Sequence, residues 1–374
     1  MASKQRTVRA ACLCGNGKHD LTLSSTDFPL PLSICHCASC RHMTGQLCLT
    51  LARLPWTYAP ESTLLSRLQK YDFSENISHY FCPSCGTNIL CRTTDRENGT
   101  NPWMIAVGTL EEGDTSVFEV ARHIFVGDTG DGGFADFLTS VNGKHIPRYA
   151  NHPGSEQLPL YRTHPNRRTQ ASTSPDDKLH GYCHCRGVQF YISRPSTRSA
   201  WAKIAHETGS YPTDQPLPLQ RETFWLRADR TKFRAAVCPC DSCRLAANGN
   251  AFAQWAYIPT VDMSLDAEGK IPMPKSLRWG TLKTCRTSER ASQHFCGRCG
   301  AVVFWNTVAR PHLKDFGVGL FKGADGARCE GWFEWRTKEM RHRADGLRRA
   351  KELTLAVEEG LREYGKRLRT AAKL

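Results

Sequence analysis

Three thiols stand close together at Cys35, Cys37 and Cys40, in "CHCASCR", and again at Cys238, Cys240 and Cys243, in "CPCDSCR". Thiolates this near to one another call for a soft cation. Each trio sits inside a longer series. Cys12 and Cys14 precede the first trio, and Cys82 and Cys85 follow it. Cys183 and Cys185 precede the second, and Cys296 and Cys299 follow it. The order C-x-C, C-x-C-x-x-C, C-x-x-C-G therefore occurs twice, with seven cysteines each time. Zinc closed by four thiolates is structural, whereas zinc with three protein ligands keeps a position for water or substrate. Seven divides into those two kinds. Cys12, Cys14, Cys82 and Cys85 make one closed set, and Cys183, Cys185, Cys296 and Cys299 make the other. Each trio is left with an open position suited to a substrate thiolate. Two alternatives compete: a His or Asp from elsewhere closes the trio, or the thiols serve a cluster of another kind.

The elements that must position these groups also repeat. "HYFCPSCGTNIL" matches "QHFCGRCGAVVFW", and "AVGTL" (Ala106–Leu110) matches "GVGLF" (Gly317–Phe321). We therefore expect two tandem copies of one domain, at residues 8–150 and 179–336. Between them, 151–178 is a polar, proline-bearing linker. Short β-rich segments such as "TNILCRT", "GVQFYIS" and "AVVFWNTV", punctuated by Gly and Pro, predict mainly-β domains. The second copy carries two Pro-bearing polar insertions, 207–222 and 264–276, expected as surface loops. From 337 to 374, Leu347, Ala350, Leu353, Val357, Leu361, Tyr364 and Leu368 recur at steps of three and four, which predicts an amphipathic helix packed on the second copy. A nucleic-acid or membrane-surface helix is the alternative. Gly346, Gly360 and Gly365 each weaken the helix by about 1 kcal/mol against Ala.

Composition narrows the class. The 18 cysteines accompany no apolar leader, so they point to metal or catalytic groups in a reducing compartment, cytoplasmic or nuclear, rather than to disulfides. No run of 18 apolar residues is present, which argues against a helical membrane span. The formal charge of +14 suits either an acidic partner or a soluble basic surface. Cys48, Cys91, Cys285 and Cys329 fall outside the repeat and are expected as buried, inert thiols. "GDTGDGG" (Gly127–Gly133) lacks the spacing of a calcium or phosphate loop and is expected to be a mobile turn. No Ser-His-Asp, P-loop or dinucleotide signature stands out.

The combination C-x-C, C-H-C-x-x-C-R-x-x-x-G, F-C-x-x-C-G-T and V-G-T-L resembles the glutathione-dependent formaldehyde-activating enzyme family, which includes the centromere protein V domain. The resemblance extends over both copies. It implies a β-tent fold, a structural zinc on the outer four cysteines, a second zinc on the trio, and carbon–sulfur lyase chemistry on a glutathione adduct of formaldehyde. Up to four zinc ions per chain follow, with glutathione as a co-substrate. Copy one keeps His36 in its loop and Thr87 after the knuckle glycine, but has Ala10 where the family has Gly. Copy two has that glycine, Gly181, but carries Pro239 and Ala301 instead, and one extra residue between Arg244 and Gly249. Pro239 removes a backbone donor, so copy one is expected to be the more active half. Its candidate catalytic groups are Cys35, Cys37, Cys40, His36 and Arg41. His36 would act as a proton relay or second-shell group beside the ligands, or else point to solvent. Arg41 and Arg244 would bind a substrate carboxylate or offset thiolate charge.

Two functions from different classes fit these residues: a zinc lyase acting on a small-molecule thiol adduct, and a zinc-built binding module for chromatin, nucleic acid or protein. Both require metal. Elemental analysis of reduced, folded protein should find up to four zinc ions per chain; none would exclude thiolate–zinc sites, and about two would retain only the outer sets.

Overall fold

The computed structural model describes residues 4–94, 102–161, 174, 176–212 and 215–371. Residues 162–173 and 175 of the expected linker, and 213–214 of the first insertion, lie outside the described residues. The first half contains β1 (Gln5–Ala10), β2 (His19–Ser24), β3 (Leu30–Cys35), β4 (Leu49–Arg53), β5 (Gln69–Ser74), β6 (Ile77–Phe81), β7 (Asn88–Thr93), β8 (Trp103–Ala106) and β9 (Phe118–Ile124), then the small hairpin β10 (Ser140–Val141) and β11 (Lys144–His145). The second contains β12 (Lys178–Tyr182), β13 (Gln189–Ser193), β14 (Phe233–Cys238), β15 (Ala253–Pro259), β16 (Met263–Ser264), β17 (Leu282–Ser288), β18 (Ala291–Cys296), β19 (Val302–Thr307), β20 (Leu313–Gly317) and β21 (Phe333–Trp335).

Two seven-stranded sheets result, ordered β5-β6-β7-β8-β4-β3-β9 and β17-β18-β19-β20-β15-β14-β21. The orders correspond strand for strand, and each ends in a parallel edge strand, β9 on β3 and β21 on β14. The protein is mainly β, with two similar sheets and helix at its C-terminal end. Alternation builds the flanking hairpin: Val8, Ala10, Leu21 and Leu23 point inward from β1 and β2 while their neighbours face out. β15 is buried on both faces, as a central covered strand must be.

The halves meet backbone to backbone. Gly319 N–H donates to Gly45 O at 3.0 Å, and Gly108 N–H donates to Gly249 O at 2.8 Å, the same contact in reciprocal sense. A Cβ on Gly319 would lie 2.0 Å from Gln46 O, and one on Gly108 would lie 2.2 Å from Asn250 O, so only glycine allows this approach. Side chains complete it. Leu47 N–H donates to Gln254 Oε1 at 2.9 Å, Thr50 N–H to Asn250 Oδ1 at 2.9 Å, and Asn248 Nδ2 bridges Gly86 O and Gly300 O at 3.1 and 2.9 Å. Buried apolar residues of both halves form one continuous core.

Two expectations are corrected. The "GDTGDGG" stretch is a packed junction, not a mobile turn: Thr129, Asp131 and, just beyond, Asp136 are buried. Arg328 of the second half, itself 1% exposed, reaches Asp136 Oδ2 at 2.9 Å, Gly133 O at 2.9 Å and Glu330 Oε1 at 2.8 Å, and its backbone N–H donates to Asp131 Oδ2 at 2.8 Å. Arg148 takes the other Asp136 oxygen at 2.6 Å. The glycines and aspartates serve two buried guanidiniums.

The tail also differs. It forms two helices, Arg343–Arg349 and Lys351–Ala371, and the longer one packs chiefly on the first half, with Arg328 of the second half over its Tyr364 ring at 4.7 Å. Phe137 meets Tyr364 edge-on at 5.2 Å, and a Cβ on Gly360 would lie 2.2 Å from Phe137 O. The glycine that lowers helix propensity is the one that lets the helix close on the first copy. The short helix bridges the copies: Gly346 sits beside Pro239 and Arg348 reaches Asp241 at 2.6 Å in the second, while Arg349 donates to Leu110 O at 3.0 Å and Val107 O at 2.6 Å in the first.

Removing one partner of a buried ion pair leaves an uncompensated charge, at a cost of about 3–5 kcal/mol. Asp136→Asn should therefore lower the calorimetric melting temperature, whereas Glu119→Gln, at an exposed pair with Lys144, should leave it nearly unchanged. Equal melting of the two variants would remove the buried cluster from the forces joining the halves.

Candidate functional site

Each outer cysteine set joins strands distant in sequence. Cys12 and Cys14 follow β1, and Cys82 and Cys85 occupy the turn between β6 and β7; Cys183, Cys185, Cys296 and Cys299 occupy the equivalent places around β12, β18 and β19. In both sets all four sulfur atoms lie within 4.8 Å of one another. Cys12 and Cys14 Sγ are 3.6 Å apart, Cys14 and Cys82 Sγ 3.5 Å, with the same values at Cys183–Cys185 and Cys185–Cys296. A tetrahedron with Zn–S bonds of about 2.3 Å has edges of about 3.8 Å, so the donor set fits zinc in number, chemistry and spacing. Thr87 Oγ1 lies 3.3 Å from Cys85 Sγ, accepts from Leu13 N–H at 3.2 Å and donates to Leu245 O of the second half at 3.0 Å. Where the second copy has Ala301, Thr281 Oγ1 approaches Cys296 Sγ at 3.0 Å instead. The Thr-to-Ala change thus relocates a hydroxyl rather than removing it.

The trios also cluster within 4.8 Å. Cys37 and Cys240 are the N-caps of the helices Ala38–Thr44 and Asp241–Ala246, and each sulfur accepts the backbone N–H three residues on, at 3.3 and 3.4 Å. A helix N-terminus favours negative charge. The Cys35 and Cys40 thiols donate to Cys37 and, with the Cys40 N–H and the Arg41 charge, hold it down to about 3, while Cys35 and Cys40 are themselves pushed up. Cys240 is held down in the same way, first by Cys238. The donor to the thiolate is therefore residue 40 or 243, not 36 or 239, and Pro239 costs the second trio no such bond.

His36 is fully buried and turned inward. Its Nε2 pairs with His123 Nδ1 at 2.9 Å, and His123 Nε2 donates to Leu138 O at 2.8 Å. It neither points to solvent nor sits at the open side of the trio. Arg41 is also buried, donating to His36 O at 3.2 Å and Asp128 O at 3.3 Å. Arg244 pairs with Asp241 Oδ1 at 3.0 Å and donates to Gly108 O of the first half. Both arginines tie loops to the trios from behind. Cys48, Cys91, Cys285 and Cys329 are buried, and burial pushes each thiol up.

Each outer set lends a residue to the other copy's trio. His184, between Cys183 and Cys185, donates its N–H to His42 O at 3.0 Å, stacks on Phe73 at 4.5 Å and pairs with Tyr71 Oη at 2.6 Å through Nδ1. The Cys37 charge acts on both His184 and His79, raising their proton affinity, but burial dominates and lowers both, His79 to about 4. The first trio is roofed by neutral imidazoles and aromatic rings. Reciprocally, Leu13, between Cys12 and Cys14, lines a cavity of about 410 Å³ onto which Cys238, Cys240 and Cys243 open.

That cavity is what sequence reasoning missed. Its walls are Phe224, Trp255, Tyr257 and Trp305, with Arg310, Asp315, Arg341 and His342 around them. In the first copy Leu51 stands at the strand position of Trp255, and Cys91 at that of Trp305. The edge pairing ends earlier beside the opening. In the first copy β9 pairs with β3 through Cys35 and on to His36, whose N–H donates to Ile124 O at 2.9 Å. Pro239 has no N–H for that bond, but β21 has already left β14 after Ala235, and the chain beyond it carries Arg341 and His342 to the cavity. Comparing the two copies at these strand positions was the available signal.

No curated protein and no solved structure matches the chain. A family model described as glutathione-dependent formaldehyde-activating enzyme matches residues 7–128, which hold β1 to β9, one outer cysteine set and one trio. The N-terminal part of this chain is thus a domain of the glutathione-dependent formaldehyde-activating enzyme family, and the second half repeats its sheet order and its cysteine positions.

Proposed function

We propose that the chain is a zinc-dependent carbon–sulfur lyase acting on the thiol adduct of an aldehyde or related small carbonyl compound, and that the second copy's trio is its principal adduct site. The observation that carries this reading is the position of Cys238, Cys240 and Cys243 in the wall of a small-molecule-sized cavity. For a hydroxymethyl-type adduct, the carbon–sulfur bond breaks, its electron pair stays on sulfur, the hydroxyl oxygen forms the carbonyl, and the hydroxyl proton leaves. Zinc on the trio would supply stabilisation of the departing thiolate, since three thiolates damp its Lewis acidity too far to favour a strong hydroxide. Cys240 at the helix N-cap holds the negative end of the donor set in place. Leu13, Trp255 and Trp305 exclude water from the sulfur, and His342 at the mouth takes the proton. The family supports glutathione as a thiol component, with the first trio, Cys35, Cys37 and Cys40, as the place for it.

A binding module for nucleic acid has less support. On the tail helix, Arg362 is paired with Glu359 and Lys366 with Glu363, so acids on the same helix answer these basic residues. No helix among the described residues is long and apolar enough to cross a membrane.

Paired variants test the reading. Cys82→Ser opens a closed tetrathiolate and should lower the melting temperature and release metal. Cys240→Ser should keep the melting temperature and abolish adduct turnover, with Cys37→Ser the smaller loss. Equal thermal damage from Cys82→Ser and Cys240→Ser would sink the division into structural and open sites. Loss of turnover in Cys37→Ser alone would move the chemistry to the first copy. If neither trio variant matters and salt-dependent DNA binding appears, the binding module replaces the lyase.

A further inference from the structure

The two trios share their ligand geometry but not their surroundings, and the second cavity's chemistry identifies what it takes. Its rings are placed as walls. Phe224, brought in by the segment after the first insertion, meets Tyr257 edge-on at 5.7 Å, and Arg310 lies over both Phe224 and Trp305 at 5.6 and 5.7 Å. A flat apolar group between such faces gains burial and ring–ring contact. The charges sort as clearly. Asp315 is held by Arg310 through two parallel bonds of 3.0 and 3.2 Å, so that pair is internally compensated. Arg341 stands exposed at the rim beside Phe224, near enough to Tyr257 and Asp315 for its charge to act on both. It is a cation at the mouth that can bind an entering carboxylate through two N–H groups. Glutathione suits this site poorly. Its ammonium, two carboxylates and two peptide groups would have to leave water for a wall of rings, which is costly without partners.

We propose that the second copy's site selects a thiol carboxylate that carries an aromatic ring, or its carbonyl adduct: sulfur toward Cys238, Cys240 and Cys243, the ring against the aromatic wall of Phe224, Trp255 and Trp305, the carboxylate on Arg341. This rests on the lyase reading for the role of the sulfur and adds the class of molecule that carries it. Tandem copies of one domain would then serve two thiols of different chemistry.

The test measures binding, not turnover, on zinc-loaded full-length protein. Cys37→Ser silences the first trio. In that background, calorimetric titration and tryptophan fluorescence follow four probes: 2-mercapto-3-phenylpropanoate, 2-mercaptopropanoate without the ring, 2-phenylethanethiol without the carboxylate, and glutathione. The first should bind at one site per chain, about tenfold or more tighter than each of the others, a difference of about 1.4 kcal/mol. Arg341→Gln should bring it down to the level of the carboxylate-free probe, and Trp305→Leu to the level of the ringless one. Arg341 is exposed, so its variant keeps the fold, which unchanged zinc content and melting temperature would verify. If glutathione binds as tightly as the aromatic probe, or both variants leave the aromatic probe unaffected, the assignment is overturned while the lyase reading stands. If no thiol binds to wild type or variant at full zinc loading, the lyase reading fails and this proposal with it.

Discussion

Everything in this molecule is arranged around sulfur atoms held closer than free thiolates tolerate. At separations near 3.6 Å, two such charges repel by about 5 kcal/mol even at an effective dielectric of 20. Without a cation, shared protons relieve that repulsion, as at Cys37; a cation inside each set would turn it into attraction. The outer sets suit architecture, since a metal held there would tie β1 and β12 to the turns after β6 and β18. The trios differ. With one thiol at a helix N-cap and two beside it, each trio could hold a metal and would leave its fourth position open.

The second constraint is the glycine-lined junction. Backbone-to-backbone contact at Gly45–Gly319 and Gly108–Gly249 fixes the halves to within the reach of a hydrogen bond. That precision carries each C-x-C turn to its neighbour's trio. His184 and Leu13 sit at equivalent positions, yet one brings an imidazole to the first site and the other an apolar wall to the second. The buried Arg328–Asp136–Arg148 cluster and the tail helix on Phe137 add a second attachment on the same side. A site in this protein is therefore never the property of one copy.

Much of this was legible in the cysteines. Fixed spacing reports ligand sets because metal geometry leaves little freedom, and the short apolar runs in "TNILCRT" and "AVVFWNTV" mark strands covered on both faces over their first residues. The misses share a cause: partners remote in sequence. His36 reads as a relay or ligand-supporting group because it stands between two ligands, but it follows directly on β3, and its side chain meets His123 of the adjacent strand β9, remote in sequence. Gly360 looked like a weak point because propensity is local, whereas its packing partner, Phe137, lies in the other half. The helix Thr197–Thr208 was missed although Ser196 caps it and Gly209 ends it; its polar stretch hid a buried face at Ala200 and Trp201.

The tandem arrangement also explains how the second site came to differ from the first. In a symmetric dimer of identical chains, every interface residue appears twice, so a change at the C-x-C turn alters both sites together. Joining the copies in one chain removes that coupling. Position 13 can become leucine while position 184 remains histidine, and position 239 can become proline while position 36 keeps the β3–β9 pairing. β21 parts from β14 after Ala235, the chain beyond it delivers Arg341 and His342, and the space there is walled by Trp255 and Trp305 where the first copy has Leu51 and Cys91. An edge strand that parts early and two large rings thus set the second trio in the wall of a cavity, while its three sulfur atoms cluster as they do in the first copy.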